Sequence, residues 1–191
     1  MGNLAEGMQK EYSYKDYVEL PSDKRYEIID GILYAMTPAP AIQHQRVSGR
    51  LYSEIANYIK GKNCEVFNAP CDVLLLDKNE AEEDIKTVVQ PDIFVVCDNS
   101  KITEKYCLGA PDFIIEIASP SSPSMDYVKK LVLYEKYKVR EYWIVNYIRK
   151  EILAYRLQQN EEYGEAEVYR DGEISVVFFA DMIIKLDDIF A

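Results

Sequence analysis

Two acidic residues in the middle of the chain lie in or beside apolar, β-branched runs. Asp92 directly precedes the run formed by residues 93–97, and Glu116 lies inside the run formed by residues 113–117. If the two runs are neighbouring strands, both carboxylates can reach one point and hold a hard cation through oxygen ligands. A buried carboxylate is costly unless it is paired or hydrogen-bonded. Glu116 therefore has either a metal-binding or catalytic role, or a buried salt bridge to a nearby lysine or arginine.

Three polar residues follow Glu116 at helical spacing. Asp126, Lys130 and Tyr134 stand at i, i+4 and i+8, so they share one face of a helix predicted from about residue 124 to 137. One interpretation is an exposed Asp–Lys pair worth a few tenths of a kcal/mol, and the residue types alone favour it because such pairs are common. In the other interpretation, Lys130 reaches the carboxylates and orients a water molecule or stabilises the charge on a phosphate.

Two further residues are weaker candidates. Glu27 lies in the first strand of a predicted hairpin, where it is either exposed or a third acid near the metal. His44 is the only histidine and lies near the start of a predicted helix; lone histidines are more often structural than catalytic. The chain has no Gly-x-Ser-x-Gly elbow and no glycine-rich phosphate loop, which argues against serine hydrolase and P-loop chemistry.

The pattern of apolar residues predicts a mixed α/β core with added antiparallel hairpins. Asp30-Gly31, between β-branched and aromatic residues, predicts a hairpin turn. Apolar residues spaced near 3.6 predict a helix that starts at Ile42 and stops at Gly61. The nearly continuous apolar run at residues 113–117 predicts a central strand that is covered on both faces.

The remaining segments are predicted from their turn residues and from the alternation of apolar and polar residues. Residues 119–124 are rich in serine and proline and predict a turn. Residues 152–157 and 173–179 are expected to form a terminal antiparallel pair, and residues 186–190 a short closing segment.

Length and composition predict one domain that spans residues 1–191, with a loose N-terminus at residues 1–12. The 191 residues are 48% hydrophobic, which is enough to fill a core. No apolar run approaches the roughly 20 residues that span a bilayer, and the N-terminus has no secretory apolar segment. These features predict a cytoplasmic protein that does not bind membranes.

Cysteine usage and charge limit the classes of partner. The four cysteines form no CxxC pair, and with one histidine they argue against a structural zinc site. They are expected to be reduced, with Cys97 a small buried hydrophobe. The formal net charge of −11 argues against a protein that coats nucleic acid by bulk electrostatics. It does not exclude an enzyme that contacts phosphates locally around a divalent metal.

Several segments of the chain occur together in a specific order. They are residues 27–31, His44 in its helix, residues 90–92, residues 110–121, the series Asp126, Lys130 and Tyr134, and residues 139–145. Together they resemble the Uma2 family, also called DUF820, which is grouped with the PD-(D/E)XK nucleases. The resemblance covers roughly residues 14–157.

The resemblance implies a restriction-endonuclease-like core, with a mixed sheet flanked by helices, that hydrolyses phosphodiester bonds of DNA using Mg²⁺ or Mn²⁺. Asp92 and Glu116 match the two metal-binding acids. Glu27 matches a supporting acid, and His44 matches a position of uncertain role. A homodimer is plausible by analogy, because cleavage of both DNA strands uses two sites.

The sequence departs from the pattern of these nucleases at three positions. The superfamily lysine normally lies two residues after the second acid, where this chain has Ala118, and Lys130 fits a lysine relocated to the following helix. Asn146 and Lys138 stand where the family tends to have aspartate and glycine. The acidic composition and Ala118 leave an alternative open: a catalytically silent nuclease fold that serves as an interaction module.

Overall fold

The structure, a computed structural model, describes residues 10–36, 41–118, 125–179 and 181–191, without the side chain of Asp126. The turn predicted at residues 119–124 and most of the loose N-terminus predicted at residues 1–12 lie outside the described residues. The helices are α1 Tyr14–Tyr17, α2 Ile42–Ile59, α3 Leu131–Lys136 and α4 Leu186–Phe190, and a π-helical turn, Met125–Lys130, directly precedes α3.

The strands are short and follow one another closely along the chain. In chain order they are β1 Tyr26–Ile29, β2 Ile32–Ala35, β3 Glu65–Asn68, β4 Asp72–Leu74, β5 Val88–Val89, β6 Ile93–Val96, β7 Tyr106–Leu108, β8 Phe113–Ile117, β9 Glu141–Asn146, β10 Glu151–Arg156, β11 Glu167–Tyr169, β12 Glu173–Val176 and β13 Met182–Lys185.

The described strands form two mixed sheets and a separate hairpin. One sheet has the order β11-β10-β9-β8-β6-β3, in which β8 and β9 are parallel and the other neighbours antiparallel. The other has the order β2-β1-β5-β4-β7, in which only β4 and β7 are parallel. Strands β12 and β13 pair with each other.

Helix α2 covers one face of the six-stranded sheet. Its fully buried residues Val47, Leu51 and Ile55 follow the predicted spacing and pack with the β12–β13 hairpin and α4 into one apolar cluster. The helix ends at Ile59, close to Gly61, whose φ of +80° a residue with a side chain rarely adopts. The helix predicted from Ile42 to Gly61 is confirmed.

Helix α3 and the five-stranded sheet cover the opposite face. Leu133 and Tyr134 pack against Phe94, Ile114 and Ile144 in a second apolar cluster. All five residues of β8 are buried, so β8 is the central strand that its apolar run predicts. The mixed α+β architecture predicted from the sequence is confirmed.

The first hairpin forms at the predicted turn. Strands β1 and β2 pair through Ile29 and Ile32, and the two residues between them have positive φ angles of 47° at Asp30 and 78° at Gly31. Such angles match the right-handed twist of the flanking strands, which is why Asp-Gly is frequent in two-residue hairpins.

One predicted strand pairing is wrong, and one predicted helix is present with a different geometry in its first turn. Residues 152–157 do not pair with residues 173–179, because β10 lies between β9 and β11, and β12 pairs with β13. Alternation of apolar residues indicates a strand but does not identify its partner. The helix predicted at residues 124–137 begins with the π-helical turn, and its α-helical part ends at Lys136.

The prediction that the cysteines are reduced is wrong for one pair. Cys64 and Cys97 form a disulfide, and Cys97 is half-buried rather than buried. The two residues lie one step beyond the registered pair Glu65–Val96 of β3 and β6, a proximity that a sequence separation of 33 conceals. Cys71 and Cys107 are free, and burial raises the pKa of the Cys107 thiol to about 12.

Among the described residues, no helix has both the length and the apolar composition needed to cross a membrane.

Candidate active site

Asp92 and Glu116 meet because their strands are antiparallel neighbours. One step beyond the registered pair Ile93–Ile115, Asp92 comes opposite Glu116 on the face of the sheet that α3 covers. The Asp92 amide lies 3.4 Å from Glu116 Oε2, and the Ile117 amide donates to Asp92 Oδ2 at 2.8 Å. Glu116 is 4% exposed and the Asp92 side chain 23%, so solvent reaches the pair at Asp92.

Lys130 points inward to the acids. Its Nζ lies 2.8 Å from Glu116 Oε1 and 3.0 Å from Glu27 Oε1, and the residue is 4% exposed. Lys130 ends the π-helical turn, a wider helical form that is frequently found at functional sites. The interpretation of Lys130 as a purely surface residue is therefore wrong, because a packed helix carries it between two buried glutamates.

Tyr134, one turn further along, contacts the same carboxylate. Its hydroxyl donates to Glu116 Oε1 at 2.8 Å, and its ring is fully buried against Tyr142. The sequence indicates Tyr134 only through its helical spacing. The contact to Glu116 cannot be predicted from that spacing, because it depends on where the π-helical turn places α3.

Glu27 joins the site from the five-stranded sheet. It lies on β1 and is buried, and its Oε1 accepts hydrogen bonds from Lys130 Nζ and from the Gln90 amide at 2.8 Å. Because Gln90 precedes Pro91-Asp92, the same backbone bond fixes Glu27 beside the segment that carries Asp92. Of the two interpretations of Glu27, the structure supports the buried acid.

His44 reaches Asp92 from helix α2. Its Nε2 lies 3.2 Å from Asp92 Oδ2, and its ring packs edge-on against Tyr147 with centroids 6.3 Å apart. His44 Nδ1 is buried and has no hydrogen-bond partner within the described part of the chain. His44 therefore contacts the more exposed of the two acids, and it does so from α2 rather than from α3.

A polar network that the sequence does not reveal supports Glu27. The Gln90 side-chain amide donates to Asp72 Oδ1 at 2.8 Å and to the Tyr17 hydroxyl at 3.1 Å, and that hydroxyl donates to the same Asp72 oxygen at 2.8 Å. Burial and the Asp72 carboxylate raise the pKa of the Tyr17 phenol, which keeps it a proton donor. The only available signal was the position of Gln90 before Pro91-Asp92.

The donor set at Asp92 and Glu116 fits a hard divalent cation. Glu27, Asp92 and Glu116 carry three negative charges when ionised, and Lys130 carries one positive charge, so two negative charges remain when His44 is neutral. Within the described ranges, no group of three or more His, Cys, Asp or Glu side chains is arranged so that it could hold a metal ion by itself. Two carboxylates suit Mg²⁺, which usually keeps several waters and takes further ligands from substrate phosphates.

The residues that depart from the family pattern have local explanations. Ala118 is buried at the end of β8, where its amide donates to the Val145 carbonyl. Asn146 Oδ1 accepts hydrogen bonds from the amides of Ile148 and Arg149, so it stabilises the turn after β9 as an aspartate would. Lys138 has a φ of +61° at the end of α3, a conformation that glycine adopts more readily.

Comparison with known proteins agrees with this fold. Over 168 residues the chain is 24% identical to an uncharacterized protein, slr1290, of Synechocystis sp., covering 85% of this chain and 84% of that protein. A crystal structure from Anabaena variabilis, described as "a putative nuclease belonging to DUF820", superposes with a TM-score of 0.74 at 21% identity and covers 94% of this chain and 97% of that one. It shows that the fold is shared.

The family assignment comes from a match that spans most of the chain. Residues 14–184 match the Uma2 family, which is described as "Putative restriction endonuclease". The match contains all five candidate residues, Glu27, His44, Asp92, Glu116 and Lys130. The chain therefore belongs to the Uma2 family.

Proposed function

We propose that this protein is a metal-dependent endonuclease that hydrolyses phosphodiester bonds of DNA. The observation that carries the proposal is the meeting of Asp92 and Glu116 on one face of the sheet, with the Lys130 ammonium against Glu116. Family membership supports a nucleic acid substrate. The partial exposure of Asp92 supports access by substrate from solvent.

Asp92 and Glu116 would hold Mg²⁺ or Mn²⁺ through their carboxylate oxygens. Bound there, the metal would polarise the phosphate and lower the pKa of the attacking water. The Ile117 amide on Asp92 Oδ2 fixes the orientation of this carboxylate before substrate arrives. Such fixed groups need no reorganisation during the reaction.

Lys130 would position the attacking water and stabilise negative charge near the scissile phosphate, the role expected of a lysine relocated from the position of Ala118. Its bond to Glu27 Oε1 holds the ammonium beside Glu116, so Glu27 acts as a supporting acid. Tyr134 and His44 would restrain the two metal-binding carboxylates through the hydrogen bonds they form with them.

The alternative is a silent nuclease fold that acts as an interaction module. In such a module, no other lysine would take the place of the superfamily lysine that is missing at Ala118, and Lys130 would face solvent. The two ion pairs of Lys130 and its burial favour the enzyme instead. The net charge of −11 remains the feature that favours the module.

The experiment is cleavage of supercoiled plasmid in Mg²⁺ and in Mn²⁺ by the parent protein and by Asp92→Asn and Asp112→Asn variants. Asp112 is a matched control because its Oδ2 accepts a backbone hydrogen bond from Cys97 at 2.8 Å, as Asp92 Oδ2 does from Ile117. We expect metal-dependent nicking or linearisation by the parent and by Asp112→Asn, and a loss of at least about 100-fold in Asp92→Asn.

Each other outcome has a defined meaning. Cleavage that survives in Asp92→Asn would indicate a contaminating nuclease or a different site. Absence of cleavage by the parent, across supercoiled and linear DNA in both metals, would favour the silent module. Equal losses in the two variants would indicate a structural rather than a chemical effect.

A further inference from the structure

The turn between β9 and β10, residues 147–150, borders the candidate site. Strands β8 and β9 are parallel and in register at Ile117–Val145, so β9 ends at the edge of the sheet where Asp92 lies. The ring of Tyr147 packs against His44, which in turn contacts Asp92 at 3.2 Å. One side chain therefore separates the turn from the exposed acid.

The turn is basic, in contrast to the acidic chain around it. It carries Arg149 and Lys150 and no acid, whereas the whole chain has a net charge of −11. The Arg149 side chain is 74% exposed, and Lys150 is exposed and forms no ion pair with any residue that the structure describes. Both cations are therefore available to a negatively charged partner.

Arg170 adds a third cation at the same edge. It follows β11 and comes opposite Glu151, one step beyond the registered pair Ile152–Tyr169. The buried Glu151 carboxylate lies 3.2 Å from Arg170 and 3.6 Å from Arg149, so two guanidinium groups share one acid. The shared acid fixes the two exposed arginines side by side without cancelling their combined charge.

Hydrogen bonds from Asn146 hold the turn in one conformation. Asn146 Oδ1 accepts hydrogen bonds from the amides of Ile148 at 3.1 Å and Arg149 at 3.0 Å, and its side-chain amide donates to the Tyr127 hydroxyl at 3.3 Å. A preorganised loop loses less conformational entropy on binding. Exposed Arg and Lys on a rigid support are the groups that contact nucleic acid phosphates and set the register of the bound strand.

We infer that residues 147–150, together with Arg170, bind the phosphate backbone of the nucleic acid substrate beside the site of hydrolysis. This inference rests on the proposed function for the identity of the substrate. The turn lies between β9 and β10, two to three strand spacings of about 4.8 Å from β6, so the phosphates that it contacts lie about 10–14 Å from Asp92. This corresponds to about three to four nucleotides at the roughly 3.4 Å rise of one DNA strand.

The test measures binding without cleavage. Fluorescence anisotropy of a labelled DNA duplex, in buffer with EDTA, compares the parent with the double variant Arg149→Gln/Lys150→Gln over a series of salt concentrations. The matched control is Lys138→Gln/Arg140→Gln, which removes the same charge from exposed residues at the opposite end of β9. The single variant Arg149→Gln guards against misfolding, because Arg170 remains on Glu151.

We expect the turn variant to bind at least about tenfold more weakly and to reduce the slope of log K against log salt by about two, because each cation removed leaves one phosphate without its counter-charge. The single variant is expected to reduce the slope by about one, and the control variant is expected to bind as the parent does. Equal binding by the turn variant and the parent, equal losses of affinity in both double variants, or no binding by the parent would overturn the inference.

Cleavage and binding separate the two proposals. A parent that cleaves plasmid with Mn²⁺ while the turn variant binds normally would leave the endonuclease proposal standing and refute the role of the turn. A parent that binds DNA through the turn but does not cleave it would support the role of the turn and refute the endonuclease proposal.

Discussion

Asp92 and Asp112 occupy equivalent positions at the two ends of the antiparallel pair β6–β8. Each follows a proline and immediately precedes one of the two strands. Each accepts a hydrogen bond of 2.8 Å on Oδ2 from a backbone amide at the far end of the other strand, from Ile117 in the case of Asp92 and from Cys97, which follows β6, in the case of Asp112. The local backbone chemistry at the two ends is therefore the same.

The surroundings of the two aspartates differ. A buried glutamate lies near each end, but Glu116 projects from the same face of the sheet as Asp92. Glu141, which is opposite Phe113 on β9, projects with Trp143 into the other apolar cluster. Asp112 has instead the exposed guanidinium of Arg140 at 3.7 Å. Asp92 and Glu116 therefore meet on one face of the sheet, whereas Asp112 and Glu141 lie on opposite faces.

The comparison shows that a buried acid in a strand does not by itself indicate chemistry. Glu141 is as buried as Glu116, and its oxygens accept hydrogen bonds from the Trp143 indole, Arg156 and the Phe178 amide. These hydrogen bonds account for the position of Glu141 within the fold without a chemical role. What distinguishes the Asp92 end is a second acid on the same face, an inward lysine and partial access for solvent.

The largest effect on stability is expected from Lys130→Met, because it leaves Glu27 and Glu116 buried without their shared cation. We expect the free energy of unfolding to fall by about 3–5 kcal/mol and cleavage to be abolished. The matched control is Lys136→Met, since Lys136 also pairs with two acids, Asp30 and Asp77, but is 43% exposed. Its loss should be below about 1 kcal/mol. Urea unfolding measures both.

Equal destabilisation by the two lysine variants would contradict the contrast between buried and exposed ion pairs. If Lys130→Met does not fold, the double variant Glu27→Gln/Lys130→Met removes one of the two uncompensated charges. It is expected to recover part of the stability without recovering cleavage.

Tyr134→Phe is expected to reduce cleavage by about tenfold and the free energy of unfolding by about 1 kcal/mol, because Glu116 loses one hydrogen-bond donor. The control is Tyr163→Phe, since the half-buried Tyr163 hydroxyl donates to the Val139 carbonyl near the Asp112 end. It should lose similar stability and keep full activity. Plasmid cleavage rates and urea unfolding decide the matter, and a similar loss of activity in both variants would be evidence against a specific role for Tyr134.

Glu141→Gln is expected to change how stability depends on pH. Burial raises the pKa of the Glu141 carboxyl above its ordinary value, although Phe178, Trp143 and Arg156 oppose the shift. At a pH between the pKa of Glu141 in the unfolded chain and its higher pKa in the folded protein, the folded protein retains a proton that the unfolded chain has released. The contribution of Glu141 to stability therefore falls as pH rises through this range. The variant should lose this slope in urea unfolding as pH rises above 4.5, the ordinary pKa of the group. An unchanged slope would contradict the assignment.

Lys138→Gly has the smallest expected effect and should stabilise the protein. Lys138 adopts a φ of +61° between α3 and β9, which costs a residue with a side chain about 1–2 kcal/mol. Glycine removes this cost but gains entropy in the unfolded chain, so the net gain should be about 0.5–1 kcal/mol. Thermal unfolding measures it, with Lys150→Gly as a second left-handed position for comparison. Destabilisation would mean that the bond from Lys138 to the Glu161 carbonyl outweighs the strain.

The meeting of the two acids can be predicted from the sequence, because it follows from the pattern of apolar strands. Asp92 and Glu116 are expected to meet because two apolar runs each carry an acid and the second run is a central strand. The inward orientation of Lys130 depends on a π-helical turn that ordinary 3.6-residue spacing does not predict. Only the resemblance to Uma2 indicates it.

Other features depend on register, which residue patterns do not contain. Glu141 lies in an apolar strand as Glu116 does, and only the face to which it points separates their roles. The Cys64–Cys97 disulfide likewise requires the alignment of β3 with β6. The role of Gln90 depends on three segments of the chain that meet only in the folded state.

The most direct test of the central claim, that the Asp92 end is a cation site and the Asp112 end is not, is Mn²⁺ binding measured by isothermal titration calorimetry. The parent, Asp92→Asn and Asp112→Asn are compared under identical conditions, with folding verified by circular dichroism. We predict that the parent and Asp112→Asn bind Mn²⁺ with similar affinity and that Asp92→Asn binds at least about tenfold more weakly. Binding by Asp92→Asn equal to that of the parent, or a loss confined to Asp112→Asn, would contradict the account.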